Sequence, residues 1–131
     1  MIPYEFIYSF TNTILHLDAS IRWVGLTNRE GLILNEKYRE NLHPLLTEEE
    51  NEEYASNAIS RQRTRSKFEQ KIGKLIYAFG KYEKVNRATI PINGNYFLLL
   101  SLDSEELNFD QIIMDRVLPL INETKEQFVS I

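Results

Sequence analysis

The segment Val85-Asn86-Arg87-Ala88-Thr89-Ile90-Pro91-Ile92-Asn93-Gly94-Asn95-Tyr96-Phe97-Leu98-Leu99-Leu100-Ser101-Leu102 decides the fold. An Asn-Gly pair between two β-type runs predicts a hairpin, because both residues tolerate the positive φ of a type I′ turn. The second arm, Tyr96 to Leu102, is apolar without alternation. That predicts a strand covered on both faces, inside a sheet. Pro91 has no N–H to give a ladder, so its end of the first arm is expected to fray or face outward.

Working outward, Leu75-Ile76-Tyr77-Ala78-Phe79-Gly80-Lys81-Tyr82 is rich in β-formers and predicts a third strand, turned by Glu83-Lys84 into the hairpin. Upstream of it, Thr47-Glu48-Glu49-Glu50 is a capping box that opens a long helix. This helix puts acids first (Glu48, Glu49, Glu50, Glu52, Glu53) and bases last, complementing its dipole at both ends. Its sparse apolar stripe, Tyr54, Ala55, Ala58 and Ile59, is expected to continue through Phe68 and Ile72 until Gly73 ends it. Earlier still, Ser20 to Asn28 and Leu32 to Tyr38 read as a first hairpin. Asn28-Arg29-Glu30-Gly31 suits a type I turn with a glycine bulge. In its first arm Ile21 and Trp23 are expected on one face, Val24 and Leu26 on the other. The chain begins with a helix entered at Pro3, with Phe6, Ile7, Phe10, Ile14 and Leu17 on its apolar face. It closes with a helix capped by Asn108, carrying Ile112, Ile113, Val117, Leu120 and Ile121, kinked by Pro119. The tail from Glu123 to Ile131 extends that helix or frays. The order α-β-β-α-β-β-β-α predicts an α+β fold: a five-stranded antiparallel sheet with helices on both faces.

At 131 residues the chain fits one domain. The 43% hydrophobic and 26% charged fractions are those of a globular protein. A net charge of −4 argues against general nucleic-acid affinity. The absence of cysteine excludes disulfides, thiolate metal sites and cysteine nucleophiles. The N-terminus has no basic n-region, and no apolar run approaches a membrane span; a cytoplasmic protein without membrane contact is expected.

Nothing in the chain forms a catalytic set. His16 and His43 lack partners at metal-ligand or acid–base spacing. The acids at helix starts are accounted for by capping. Ser101 and Ser104 lack a glycine-flanked elbow, and the five glycines stand singly, so no phosphate loop exists. No enzyme activity, cofactor or metal is expected. The most suggestive polar feature is the basic run Arg61, Arg63, Arg65, Lys67, Lys71 and Lys74, which Lys81, Lys84 and Arg87 could extend. It reads as a docking patch for an acidic protein, a phosphate or a nucleic-acid backbone; the plainer reading is a solvated helix end. The aromatics Trp23, Tyr77, Phe79, Tyr82, Tyr96 and Phe97 read as core and interface, with a small-ligand pocket under Trp23 as the alternative.

Trp23-Val24-Gly25-Leu26, leading to Glu30-Gly31-Leu32-Ile33-Leu34 and followed by the long second helix and the Tyr96 to Leu102 strand, resembles Roadblock/LC7 domains and their longin- and profilin-like relatives. Along its length the chain looks like small archaeal single-domain proteins of this plan. The resemblance implies one Roadblock/LC7-like domain over residues 1–131 with sheet order 2-1-5-4-3. It also implies homodimers formed through the third strand, with Leu75, Tyr77, Phe79 and Tyr82 as the edge, and through the face of the second helix from Tyr54 to Lys71. A strand that apolar at a sheet edge independently calls for a cover. The second helix is more charged than the family pattern. The function implied is a non-enzymatic interaction or regulatory module working with a small GTPase or signalling protein. The alternatives are a PAS- or profilin-like ligand sensor, or nucleic-acid binding through the basic helix end.

Overall fold

The central strand of the sheet is β5 (Tyr96–Asp103), whose Leu98, Leu99, Leu100 and Leu102 are all fully buried. The computed structural model describes residues 2–129. Around β5 stand β1 (Ile21–Asn28), β2 (Ile33–Tyr38), β3 (Ala78–Lys81) and β4 (Val85–Asn93), all paired antiparallel in the order β2-β1-β5-β4-β3. The predicted sheet order is the observed one. Successive side chains of β5 point to opposite faces. Leu98, Leu100 and Leu102 join α1 (Tyr4–Leu15) and the C-terminal helices in the larger core, while Leu99 meets α2 (Glu48–Ser66) with Trp23, Ala55 and Ala58. Helices therefore cover both faces.

The local signals hold where the interaction closes within a few residues. Thr47 Oγ1 accepts from the Glu50 N–H at 3.1 Å, and the Glu50 carboxylate accepts from the Thr47 N–H at 2.9 Å, completing the capping box. The first turn places Gly31 at φ +83°, and a Cβ there would stand 2.8 Å from the Ser56 Cα of α2. Glycine is thus required both by the turn and by the approach of the helix.

Other expectations are corrected by side-chain chemistry. None of Asn93, Gly94 and Asn95 has a positive φ, so the second hairpin does not close in a type I′ turn. Instead the Asn93 Oδ1 accepts from the Asn95 and Tyr96 N–H groups at 2.8 and 3.1 Å, and the ladder shifts register between Pro91 and Asn93. Ile21 does not share a face with Trp23. The β1–β5 register shifts between those residues, which turns Ile21 into the core of Val24 and Leu26. The third strand is four residues, Ala78–Lys81, not Leu75 to Tyr82. The long helix stops at Ser66, and a separate turn, α3 (Glu69–Ile72), follows. Phe68 and Ile72 do not extend the apolar stripe; they are 52% and 83% exposed.

At the C-terminus Asn108 makes no side-chain cap. The helix runs as α4 (Phe109–Ile112), a π-helical segment Ile113–Val117 and α5 (Leu118–Thr124). The wide turn sits just before Pro119, where the ring and missing donor would break a regular helix. After a 3₁₀ turn at Lys125–Gln127, Phe128 is fully buried between Phe6 and Phe10, edge-on at 5.0 and 4.9 Å. The tail from Glu123 thus extends the helix through Thr124 and a 3₁₀ turn before Phe128 docks; Ser130 and Ile131 lie outside the described residues.

One carboxylate ties three strand ends together. Asp103, ending β5, accepts from Arg39 at 2.9 and 3.1 Å and from Arg22 of β1 at 3.3 Å. Burial alone would raise its pKa, but the hydrogen bonds and charges of Arg39 and Arg22 outweigh it and hold the carboxyl below its ordinary value. A folded-state pKa below the unfolded one gives stability that is complete above about pH 4 and drains away as pH falls through the folded value. Asp103→Asn is therefore expected to flatten the acid limb of a stability–pH curve, measured by urea unfolding between about pH 2 and 6. An unchanged slope would contradict the clamp.

Candidate functional site

The strand registers place one row of side chains across all five strands: Tyr38 opposite Trp23, Trp23 opposite Ser101, Ser101 opposite Arg87, and Arg87 opposite Gly80. This row lies on the face that α2 covers. Trp23 is 2% exposed, and its indole N–H donates to the Glu36 carboxylate at 3.2 Å. The ring folds back over Gly25, where a Cβ would stand 2.5 Å from it. From α2, Asn51 donates to the Tyr38 hydroxyl, and the Tyr54 ring lies over the Arg87 guanidinium at 3.6 Å. Burial raises the Tyr38 and Tyr54 hydroxyls above their ordinary pKa, so both are neutral phenols. At the far end the Tyr82 ring shelters Gly80. Between this row and the 42–46 loop lies a cavity of about 380 Å³, within the size range of small-molecule sites.

The predicted basic run is spread over three segments. Arg61, Arg63 and Arg65 are on α2, Lys67 caps its end, Lys71 is on α3, and Lys74 is in the coil beyond. The helix break leaves Lys71 and Lys74 outside α2. Arg61 stands over Tyr54 at 5.7 Å, and Arg63 donates to the Arg29 carbonyl at 3.0 Å. Arg63, Lys74 and Leu75 meet at a second, wider cavity of about 920 Å³ between α2, the 74–76 segment and the β4–β5 turn. Arg87 leaves the run altogether: it is 7% exposed, beneath Tyr54. Lys81 is engaged with Asn86 and the Ser104 carbonyl.

The predicted edge residues divide between the two faces. Phe79 stacks on Phe109 at 3.8 Å, and the Tyr77 hydroxyl donates to the Asp110 carboxylate. Burial, then the Asp110 acceptor and charge, push the Tyr77 hydroxyl up to about 12. Tyr82, 53% exposed, stays on the α2 face, and Leu75 is half-buried before the strand begins. His16 and His43 are exposed, and His16 Nδ1 lies 2.8 Å from the Asn12 carbonyl. Sequence reading missed Tyr38, Asn51 and the 42–46 loop as cavity walls, since only tertiary packing brings them together. The signal available was the strand alternation that aligns Trp23, Ser101 and Arg87.

No protein-family model matches the sequence, and no curated protein matches it. Solved structures do share its architecture. An MglB with a tetrameric arrangement aligns over 95% of this chain and 89% of its own, with TM-score 0.77 at 14% identity. Myxococcus xanthus MglB aligns over 95% and 96%, with TM-score 0.72 at 15% identity. A Roadblock/LC7 domain from Streptomyces avermitilis covers 93% and 97%, with TM-score 0.71 at 8% identity. The fold is that of Roadblock/LC7 domains. At such identities the likeness concerns the Roadblock/LC7 fold and not any binding residue.

Trp23 and Gly25 form a local lock that a single methyl opens. Gly25→Ala is expected to displace the indole and cost about 1–3 kcal/mol. Because Trp23 is the chain's one tryptophan, the displacement is read directly as a red shift of intrinsic fluorescence. An unshifted spectrum with unchanged thermal unfolding would contradict this packing.

Proposed function

We propose that this chain is a non-enzymatic regulatory module that pairs with a second copy of itself through β3 and α2 and then docks a protein partner. For that partner the Roadblock/LC7 likeness suggests a small GTPase or signalling protein. The observation that carries the reading is the difference between the two sheet edges. The outer β2 edge bears Glu36 and Lys37 and is tied to α1 by Asn35–Thr11 and Lys37–Asn12 hydrogen bonds. The outer β3 edge carries Ala78, Phe79 and Gly80 before Lys81, and exposed apolar side chains, Phe68, Ile72, Ile76 and Tyr82, stand on the segments that precede and follow it in the chain. An apolar edge beside an exposed apolar patch is the profile of an association surface.

Charge supports the same geometry. The exposed acids Glu52 and Glu53 lie toward the start of α2, and Arg61 and Arg65 toward its end. Two such helices laid antiparallel about a two-fold axis set acids against bases, so the surface is complementary to itself. The tetrameric arrangement of the similar MglB is in keeping with self-association in this fold.

Light scattering on the eluting protein tests the pairing. A dimer is expected at tens of micromolar that weakens as salt is raised from about 0.05 to 0.5 M. Arg61→Glu with Arg65→Glu should weaken it about tenfold, near 1.4 kcal/mol, and adding Glu52→Lys with Glu53→Lys should restore it. A monomer under all conditions would overturn the reading. Capture of a small GTPase from native lysate, lost with the same reversal, would extend it to the partner.

A further inference from the structure

Arg87 is a buried cation without an anion. It is 7% exposed at the middle of the cross-strand row, and none of its donors forms a hydrogen bond or ion pair with a described residue. Its Nε is buried and unpartnered. The guanidinium is held by aromatic faces, Tyr54 at 3.6 Å and Trp23 at 5.3 Å, which favour the charge but use none of its five N–H donors. Burial pushes its pKa down, while the neighbouring tyrosines Tyr54, Tyr82 and Tyr38 oppose the shift. A buried guanidinium kept charged with its donor fork free is an incomplete interaction.

The cavity that Arg87 lines supplies the rest of the description. Three cationic residues reach it, Arg22, Lys84 and Arg87, and no Asp or Glu lines it. Arg22 is already engaged by Asp103, and Lys84 is exposed at the mouth. That leaves one buried, uncommitted positive charge. The remaining wall is mostly apolar, with Trp23, Tyr54, Tyr82, Val85 and the Leu42, Pro44, Leu45 and Leu46 side chains of the loop; its other polar residues are Ser101 and the hydrogen-bonded pair Asn51 and Tyr38. Leu45 is 52% exposed there, an apolar side chain with nothing over it. A single planar fork matches a carboxylate bidentately, whereas a phosphate dianion would carry a second charge into the same apolar surroundings. The volume of about 380 Å³ suits a small molecule and not a peptide segment.

We propose that this cavity binds a small organic monocarboxylate, with its carboxylate on the Arg87 guanidinium and its apolar body between Trp23, Tyr54 and the 42–46 loop. This goes beyond the pairing through β3 and does not depend on it. Trp23, the chain's one tryptophan, reports on the site directly. The full chain is titrated with benzoate, phenylacetate and octanoate, followed by Trp23 fluorescence and calorimetry, with phenethyl alcohol and phenyl phosphate as the uncharged and dianionic probes. At least one carboxylate is expected to saturate the signal and to bind at least about tenfold more tightly than either control. Arg87→Met should lose at least about tenfold in affinity while unfolding at the same or a higher temperature. Leu45→Asp places a negative charge at the mouth and should weaken binding with Arg87 intact; it decides the matter if Arg87→Met fails to fold. No saturable response to any carboxylate, equal binding of the alcohol, tighter binding of the phosphate, or undiminished affinity in the variants would each overturn the assignment.

Discussion

The structure depends on a strand that cannot tolerate water on either side. Leu98, Leu99, Leu100 and Leu102 are all fully buried, so β5 needs two layers of cover at the centre of the sheet. On one face α1 and the C-terminal helices supply a deep core that closes with Phe128. On the other face the cover is thinner. The buried stripe of α2 is Asn51, Ala55, Ala58, Ile59 and Gln62, and its two alanines meet Leu99 and Trp23. Small side chains let a helix approach a strand closely but reach little beyond it. Past β5, Arg87 is sheltered by the long Tyr54 side chain of α2, and Gly80 by Tyr82. The polar row and the cavity lie on this thinly covered face.

That economy also explains the composition of α2. A helix packed through alanines gains little from burial, so its stability rests more on its capping box and on acids and bases set along its dipole. The same segregation leaves its outer surface self-complementary.

Much of this was legible from residue order. The apolar run of β5, the Asn28-to-Gly31 turn and the Thr47-to-Glu50 box are local signals, and the structure follows them because each closes within a few residues. The misreadings have separate causes. Asn93 closes its hairpin through its own carbonyl oxygen instead of a positive φ. A register shift turns Ile21 away from Trp23, and the π-helical segment absorbs Pro119. The candidate site was half legible. Trp23 drew attention as an aromatic strand residue, but Arg87 read as one more surface base because nothing in its neighbours announces a tyrosine from α2 above it. The spacing of the basic run presumes one helix, and α2 stops at Ser66.

The central claim is that the β3 edge is the incomplete side of this molecule. Hydrogen–deuterium exchange of the amides from Ala78 to Lys81, measured across a wide range of protein concentration with β2 as the internal reference, tests it most directly. The account predicts slower exchange in β3 as concentration rises, while β2 stays constant. Exchange in β3 that is independent of concentration, or protection that develops in β2 instead, would contradict it.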